Sequence, residues 1–163
     1  MSDDKIKDAL RMMPYGFYAF TTKNGDDVNA MVVNWVSQMS YTPRLIAVGL
    51  SKTAYSHGVV AAGQVFGLNL FLTENKEAIM GVTKGRGKNP DKMSETEFTA
   101  APETGVPVLA GAAAYIECKV TQIIDVGGDH DIVVGEAIHA DVMKEGDPAD
   151  VLSLVELGWS YAG

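Results

Sequence analysis

The sequence contains little cysteine and no long apolar run. Its single cysteine, Cys118, excludes an internal disulfide and a cysteine-based zinc site. A mostly apolar stretch at residues 107–116 is shorter than the roughly 18 residues of a membrane span, and it contains proline and glycine. The first residues are acidic and polar, whereas a signal peptide begins with basic and then apolar residues. We therefore expect a cytoplasmic protein with no membrane segment.

Positive charge is also scarce. The chain has 13 Lys and Arg residues against 21 Asp and Glu residues, which gives a net charge of −8 and a pI of about 4.7. Because clustered Lys and Arg are needed to bind nucleic-acid phosphates, no nucleic-acid partner is expected. A hydrophobic content of 47% is typical of a folded globular protein. The length suits one buried core, so we predict a single domain over residues 1–163.

Hydrophobic periodicity predicts a mainly β protein with short helices. A helix at residues 4–13 precedes a β-hairpin, whose strands at 15–22 and 28–36 flank the turn sequence NGDD. Four more strands are predicted at residues 45–50, 65–71, 113–126 and 132–142. Short helices are predicted at residues 55–62, 74–83 and 148–157, with Thr73 as the N-cap of the second. Six strands without regular βαβ alternation favour an antiparallel barrel over a parallel doubly wound sheet.

Several common catalytic motifs are absent. The basic, glycine-rich stretch KGRGK does not fit a P-loop, because Val82 and Asn89 stand where glycine and Ser/Thr are required. No GxGxxG follows a predicted strand, and the three histidines are too scattered for a recognised ligand spacing, so no metal is expected. Cys118 alternates with Ile116 and Val120 on a predicted strand, which favours a buried apolar residue over a nucleophile.

Two consecutive segments suit a mononucleotide. In residues 29–40 (NAMVVNWVSQMS), polar side chains interrupt an apolar run and are suited to hydrogen-bond a flat heteroaromatic ring; alternatively, they simply face water. Residues 51–57 (SKTAYSH) combine hydroxyls, a lysine and backbone N–H groups at a predicted helix start, which suits a phosphate. A plain N-cap explains one hydroxyl of this segment, but it does not explain Lys52 and both hydroxyls.

Positive charge is concentrated at one place in this acidic chain. Lys84, Arg86, Lys88 and Lys92 put four of the 13 basic residues within nine positions. Such a cluster is suited to attract the phosphates of a nucleotide. The alternative is a solvated loop that balances the net charge.

An ordered set of motifs resembles the flavin reductase-like, FMN-binding split-barrel family. The set begins with Gly25, residues 29–40 and residues 43–48 (PRLIAV), and it continues with residues 66–70 (FGLNL) and 91–93 (DKM). It ends with residues 115–118 (YIEC) and 128–136 (GDHDIVVGE). The resemblance covers about residues 13–142 and is greatest to small flavin reductases and flavoredoxin-like electron carriers. Met93 replaces the family's common phenylalanine, and residues 145–163 match no family pattern.

The resemblance implies a fold, an activity and an assembly. The fold is a mainly β, six-stranded antiparallel split barrel with Greek-key connections. The activity is that of an oxidoreductase that passes hydride from NAD(P)H to flavin N5 and electrons onward to a redox partner protein or to free flavin. The flavin is FMN, with FAD as the alternative, and it lies at the interface of a homodimer.

The resemblance also implies the residues of the site. Those that line the isoalloxazine ring are Asn34, Trp35, Val36, Ser37, Gln38, Met39 and Ser40. Those that bind the phosphate are Ser51, Lys52, Thr53, Tyr55 and Ser56. Lys92 is expected to approach the cofactor or the partner subunit. His130 is expected near the flavin or the nicotinamide, as the catalytic residue.

Three functions therefore stay open. The first is an NAD(P)H-dependent flavin reductase. The second is an FMN-binding electron-transfer protein without a nicotinamide site of its own. The third is a split barrel that has lost its flavin and serves as a binding module. Reduction by NAD(P)H separates the first two, and the colour of bound flavin separates both from the third.

Overall fold

The computed structural model describes residues 2–160, so residue 1 and residues 161–163 of the predicted domain lie outside the described part. The strands are β1 (Tyr18–Asn24), β2 (Asp27–Val33), β3 (Val36–Tyr41), β4 (Arg44–Ser51), β5 (Val65–Leu70), β6 (Phe98–Ala100), β7 (Pro107–Leu109), β8 (Ala114–Asp125) and β9 (His130–Val142). The α-helices are α1 (Ser2–Leu10), α2 (Tyr55–Gly63) and α3 (Glu77–Met80). Single 3-10 turns lie at Thr73–Asn75, Pro148–Asp150 and Val155–Leu157. Within residues 2–160, no helix has the length and apolar character needed to cross a membrane.

Seven strands form one antiparallel sheet that curls into a barrel. The strand order is β2-β1-β5-β8-β9-β4-β3, while β6 and β7 form a separate hairpin. β2 and β4 stand far apart in this order, yet Val33 at the end of β2 packs in one core with Val48 of β4. The expected mainly β, antiparallel barrel is confirmed, with seven strands in the main sheet in place of six.

Two apolar cores lie on opposite faces of β1. Its side chains alternate, so Phe20 faces the inside of the barrel and Ala19 faces the second core. The barrel core consists of Phe20, Val33, Ile46, Val48, Leu50, Val60, Phe66, Leu68, Cys118 and Val133. The second core consists of Phe17, Ala19, Ala30, Phe71, Ile79, Val82, Met93, Leu109, Ala112, Leu152 and Leu154. Gly135 lets the Phe66 ring enter the barrel core, because a Cβ at residue 135 would lie 2.5 Å from that ring.

The structure departs from the predicted elements where contacts in space override the local pattern. The predicted strand 28–36 ends at Val33, because the chain leaves β1 there and pairs with β4 from Val36 onward. The predicted helix 74–83 is reduced to a 3-10 turn and α3, and Thr73 does not cap it. The hairpin of β6 and β7 is absent from the prediction, since three-residue strands show no periodicity.

The C-terminal segment is held by non-local backbone contacts rather than by a helix. Phe17 N donates to the Leu152 carbonyl at 3.2 Å, and Leu154 N donates to the Tyr15 carbonyl at 3.0 Å. Trp159 contacts Phe17 edge to face, with ring centroids 5.5 Å apart. The predicted helix 148–157 is therefore replaced by two 3-10 turns that cover the second core.

The reactivity of the buried Cys118 thiol can be used to test the packing of the barrel core. Cys118 has no exposed surface, and burial, with a smaller effect of the Glu117 charge, raises the pKa of its thiol to about 12. Because the thiolate is the reactive form, the native protein should resist a disulfide reagent at neutral pH. The denatured protein should react with one equivalent, measured by the absorbance of the released chromophore. Rapid stoichiometric labelling of the native protein would contradict this packing.

Candidate functional site

The chain between β2 and β3 forms one wall of a small cavity. The side-chain amide of Asn34 donates to the Gly16 carbonyl at 2.9 Å, and Gly49 N donates to the Trp35 carbonyl at 2.8 Å. Trp35 lies against Gly49, where a Cβ would be 3.1 Å from the Trp35 side chain, so a larger residue would displace the indole. The cavity has a volume of about 100 Å³ and is lined by Met31, Val32, Val33, Asn34, Trp35, Gly49, Ser51 and His130.

His130, the first residue of β9, faces this indole. The centroids of the His130 and Trp35 rings are 4.6 Å apart. His130 Nδ1 lies 2.7 Å from the Asp129 carboxylate, and this hydrogen bond lowers the pKa of Asp129. Pairing of β9 with β4 puts His130 directly opposite Ser51. The structure therefore brings together Asn34, Trp35, Ser51 and His130, which the sequence predicted from three separate motifs.

The rest of the predicted ring-lining segment lies along β3, which is an edge strand of the sheet. Val36, Ser37 and Gln38 line a second cavity of about 290 Å³ at an end of the barrel, together with Tyr18, Arg44, Ile46, Leu68, Leu70, Ile116 and Ala137. Met39 and Ser40 line neither cavity. Within the predicted segment, Asn34 and Trp35 therefore line one cavity, and Val36, Ser37 and Gln38 line the other.

The predicted phosphate-binding segment joins β4 to α2. The hydroxyls of Ser51 and Thr53 lie 3.1 Å apart at the exposed turn before the helix. Ser56 is buried in the first turn of α2, where its hydroxyl accepts a hydrogen bond from the Asn29 side chain at 2.8 Å. Ser56 therefore fixes the helix to β2, while Ser51 and Thr53 are accessible to a ligand.

Lys52 is already paired with carboxylates. Its Nζ donates to Asp125 Oδ1 at 2.8 Å and lies 3.8 Å from Asp131 Oδ1. The hydrogen bond to Asp125 raises the pKa of Lys52 and keeps it charged. Asp131 is also bound to His57 Nε2 at 2.7 Å, so a phosphate at this turn competes with both aspartates for Lys52.

A second charged cluster, missed in the sequence, lies at the start of α2. Arg86 donates to Asp27 Oδ1 at 3.1 Å, and its guanidinium carbon lies 4.2 Å from the centroid of the Tyr55 ring. The Tyr55 hydroxyl donates to the other oxygen of Asp27 at 2.8 Å, which raises the pKa of Tyr55. The Tyr55 hydroxyl is therefore engaged with Asp27. Asp27 and Arg86 are 59 positions apart in the chain, so the sequence does not predict their contact. The available signal was the cluster of basic residues at positions 84–92.

Lys92, which the resemblance places near the cofactor or a partner subunit, does not line the cavity beside Trp35. Lys92 is 1% exposed, and its Nζ donates to the Lys84 carbonyl at 2.9 Å. Burial lowers the pKa of Lys92, and the charge of Arg86 adds to this effect. Lys92 therefore anchors the loop at residues 84–92, which we call the basic loop, from the protein interior.

Comparison with known proteins gives consistent matches. The family described as flavin reductase like domain matches residues 10–156. The ferric-chelate reductase (NAD(P)H) of Archaeoglobus fulgidus is 31% identical over 151 residues, which cover 91% of this chain and 86% of that protein. The high molecular weight rubredoxin of Moorella thermoacetica is 33% identical over 142 residues, which cover 86% of this chain. The matched region spans only 61% of that rubredoxin.

The solved structures agree with the observed architecture. The flavin reductase HpaC, determined in complex with NADP+, superposes with a TM-score of 0.75 at 26% identity, and 90% of each chain is covered. The NADH:FAD oxidoreductase SgcE6 of Streptomyces globisporus superposes with a TM-score of 0.70 at 26% identity, covering 80% of this chain and 71% of that one. The chain therefore belongs to the flavin reductase-like domain family, of the FMN-binding split-barrel type.

Proposed function

We propose that this chain is an NAD(P)H-dependent flavin reductase with FMN as its flavin. The observation that carries the proposal is the cavity lined by Asn34, Trp35, Ser51 and His130, because it joins the ring-lining segment to the phosphate-binding segment. Family membership supports the reaction class, as does the likeness to a reductase crystallised with NADP+.

The residues present fit a flavin mononucleotide. The Trp35 indole offers apolar contact to a flat ring, and Ser37, two residues further along the chain, is exposed on β3. Lys52, the hydroxyls of Ser51 and Thr53, and the N–H groups of the first turn of α2 offer donors to a phosphate. When bound, the flavin accepts hydride from the reduced nicotinamide, so the protein needs only to bind and orient the two. We assign His130 to hold the nicotinamide against the flavin ring.

A second copy of the chain completes this site in our proposal. A cavity of about 100 Å³ is too small to enclose a flavin, since ligand pockets typically hold about 300–1,000 Å³. Large apolar side chains remain exposed on the edge strand beside it, with Met39 58% and Tyr41 86% exposed. A two-fold dimer that covers β3 would bury these side chains and give two equivalent flavin sites.

A second candidate function is electron transfer without a nicotinamide site. The observation that favours it is the match to part of a longer rubredoxin, in which the aligned region is joined to further chain. Such a protein would bind FMN equally well, but NADH and NADPH would not reduce it.

Titration of the flavin-free protein with FMN tests the proposal. We expect quenching of flavin fluorescence at micromolar FMN, with a stoichiometry near one per subunit. Bound flavin also excludes a split barrel that serves only as a binding module. Absence of quenching at micromolar FMN would refute both candidate functions.

Lys52→Ala should weaken FMN binding about tenfold, because a charge-assisted contact to the phosphate is lost. Asp125→Asn should have the opposite effect and strengthen binding by roughly threefold, because it frees Lys52 from its carboxylate partner. Lys76→Ala, on an exposed turn, removes the same charge as a control. Affinities measured at matched salt that do not differ between Lys52→Ala and Lys76→Ala would mean that the phosphate lies elsewhere.

His130→Ala should slow the reduction of bound FMN by NAD(P)H about tenfold, since the nicotinamide loses one positioning contact. FMN affinity should change far less than this rate. Stopped-flow measurement of flavin bleaching and a separate FMN titration distinguish the two effects. If the reduction rate equals that of the parent protein, His130 packs against Trp35 without positioning the nicotinamide.

Light scattering at micromolar protein should give about twice the subunit mass of 17.4 kDa. Met39→Lys should shift the mass towards one subunit and weaken FMN binding in parallel, because a charge on the edge strand opposes its burial. A parent protein that stays at one subunit mass with FMN saturating would refute the shared site.

A further inference from the structure

Tyr55 and Arg86 form an aromatic and cationic surface beside the phosphate-binding segment. The Arg86 guanidinium stacks on the phenol at 4.2 Å from the ring centroid. Asp27 fixes both groups, because one of its oxygens accepts from Arg86 and the other from the Tyr55 hydroxyl. Tyr55 is nevertheless 47% exposed, so part of the ring faces solvent. A fixed, half-exposed phenol costs little side-chain entropy when a flat ligand stacks on it.

This surface extends the candidate site away from the cavity lined by Trp35 and His130. Ser51 belongs to the wall of the cavity that also contains Trp35 and His130. Tyr55 lies at the other end of the same segment, after the hydroxyl pair of Ser51 and Thr53. For a ligand with its ring at Trp35 and its first phosphate at Ser51 and Thr53, Tyr55 therefore lies on the side of the phosphate away from the ring.

The basic loop adds positive charge at this end. Arg86 also donates to the Val28 carbonyl at 3.2 Å, and the buried Lys92 amine ties the loop to the Lys84 carbonyl. The side chains of Lys84 and Lys88 remain exposed on the anchored loop. Two exposed lysines on the loop that carries Arg86 suit a ligand that has both a flat base and a further phosphate.

We propose that Tyr55, Arg86, Lys84 and Lys88 form a subsite for the adenosine-phosphate half of a dinucleotide. The adenine stacks on the Tyr55 and Arg86 surface, and the additional phosphate is attracted by the two lysines. This inference rests on the proposed flavin site and specifies its ligand further, because FAD consists of FMN with this half attached. The adenosine-phosphate half of NAD(P)H has the same chemistry and is the other source.

The ratio of FAD affinity to FMN affinity tests the subsite, because effects on the shared half cancel. Tyr55→Leu should lower this ratio about tenfold, as expected for loss of one base–aromatic contact. Tyr55→Phe keeps the ring and should retain most of the ratio. Arg86→Gln should lower it as Tyr55→Leu does, whereas Lys76→Gln should leave it at the parent value.

The Michaelis constant for NADPH, measured with FMN as the flavin, distinguishes the two sources. A lower FAD-to-FMN ratio with an unchanged constant assigns the subsite to FAD. A raised constant with an unchanged ratio assigns it to the nicotinamide dinucleotide. If FMN binds and Tyr55→Leu alters neither quantity, the subsite is refuted while the flavin site stands. If the parent protein binds no FMN, the proposed function itself fails.

Discussion

The architecture depends on the place where the chain crosses from β2 to β3 over Gly49. The Gly49 N–H donates a hydrogen bond to the Trp35 carbonyl, and the absence of a side chain at Gly49 leaves room for the indole. This contact lets the chain exchange its pairing with β1 for pairing with β4, which closes the barrel. It also sets the indole opposite His130, so the closure of the barrel and the wall of the site are one structural feature.

Charge balance is the second constraint on the site. The protein has a net charge of −8, and several basic side chains at and beside the candidate phosphate-binding segment have acidic partners. Lys52 is paired with Asp125, His57 with Asp131 and Arg86 with Asp27. Lys52 and Arg86 are therefore held in position by carboxylates, and in our proposal a bound phosphate exchanges its own contacts for these. Such exchange makes affinity depend on salt and on the acidic partners as much as on the lysine.

Much of the fold was predictable from local patterns, because long alternating strands and the NGDD turn have strong signals. The end of β2 just before Asn34 could not be predicted in this way. Apolar residues continue on both sides of Asn34, and only the strand with which the chain pairs changes. The conformation of the C-terminal segment was not predictable either, because Leu152 and Leu154 are held by contacts with residues near β1. At the candidate site, the sequence singled out the motifs around Trp35, Ser51 and His130, and these residues line one cavity. The pair of Arg86 and Asp27 was not predicted, because it forms between residues far apart in the chain.

The proposed activity requires the barrel to bring a reduced nicotinamide onto a bound flavin. Anaerobic mixing of the FMN-loaded protein with NADH or NADPH tests it most directly, followed through the yellow absorbance of oxidised flavin. We expect complete bleaching with at least one of the two donors, at a rate that saturates with donor concentration and exceeds that of free FMN. Stoichiometrically bound FMN that neither donor bleaches faster than free FMN would contradict the proposed activity.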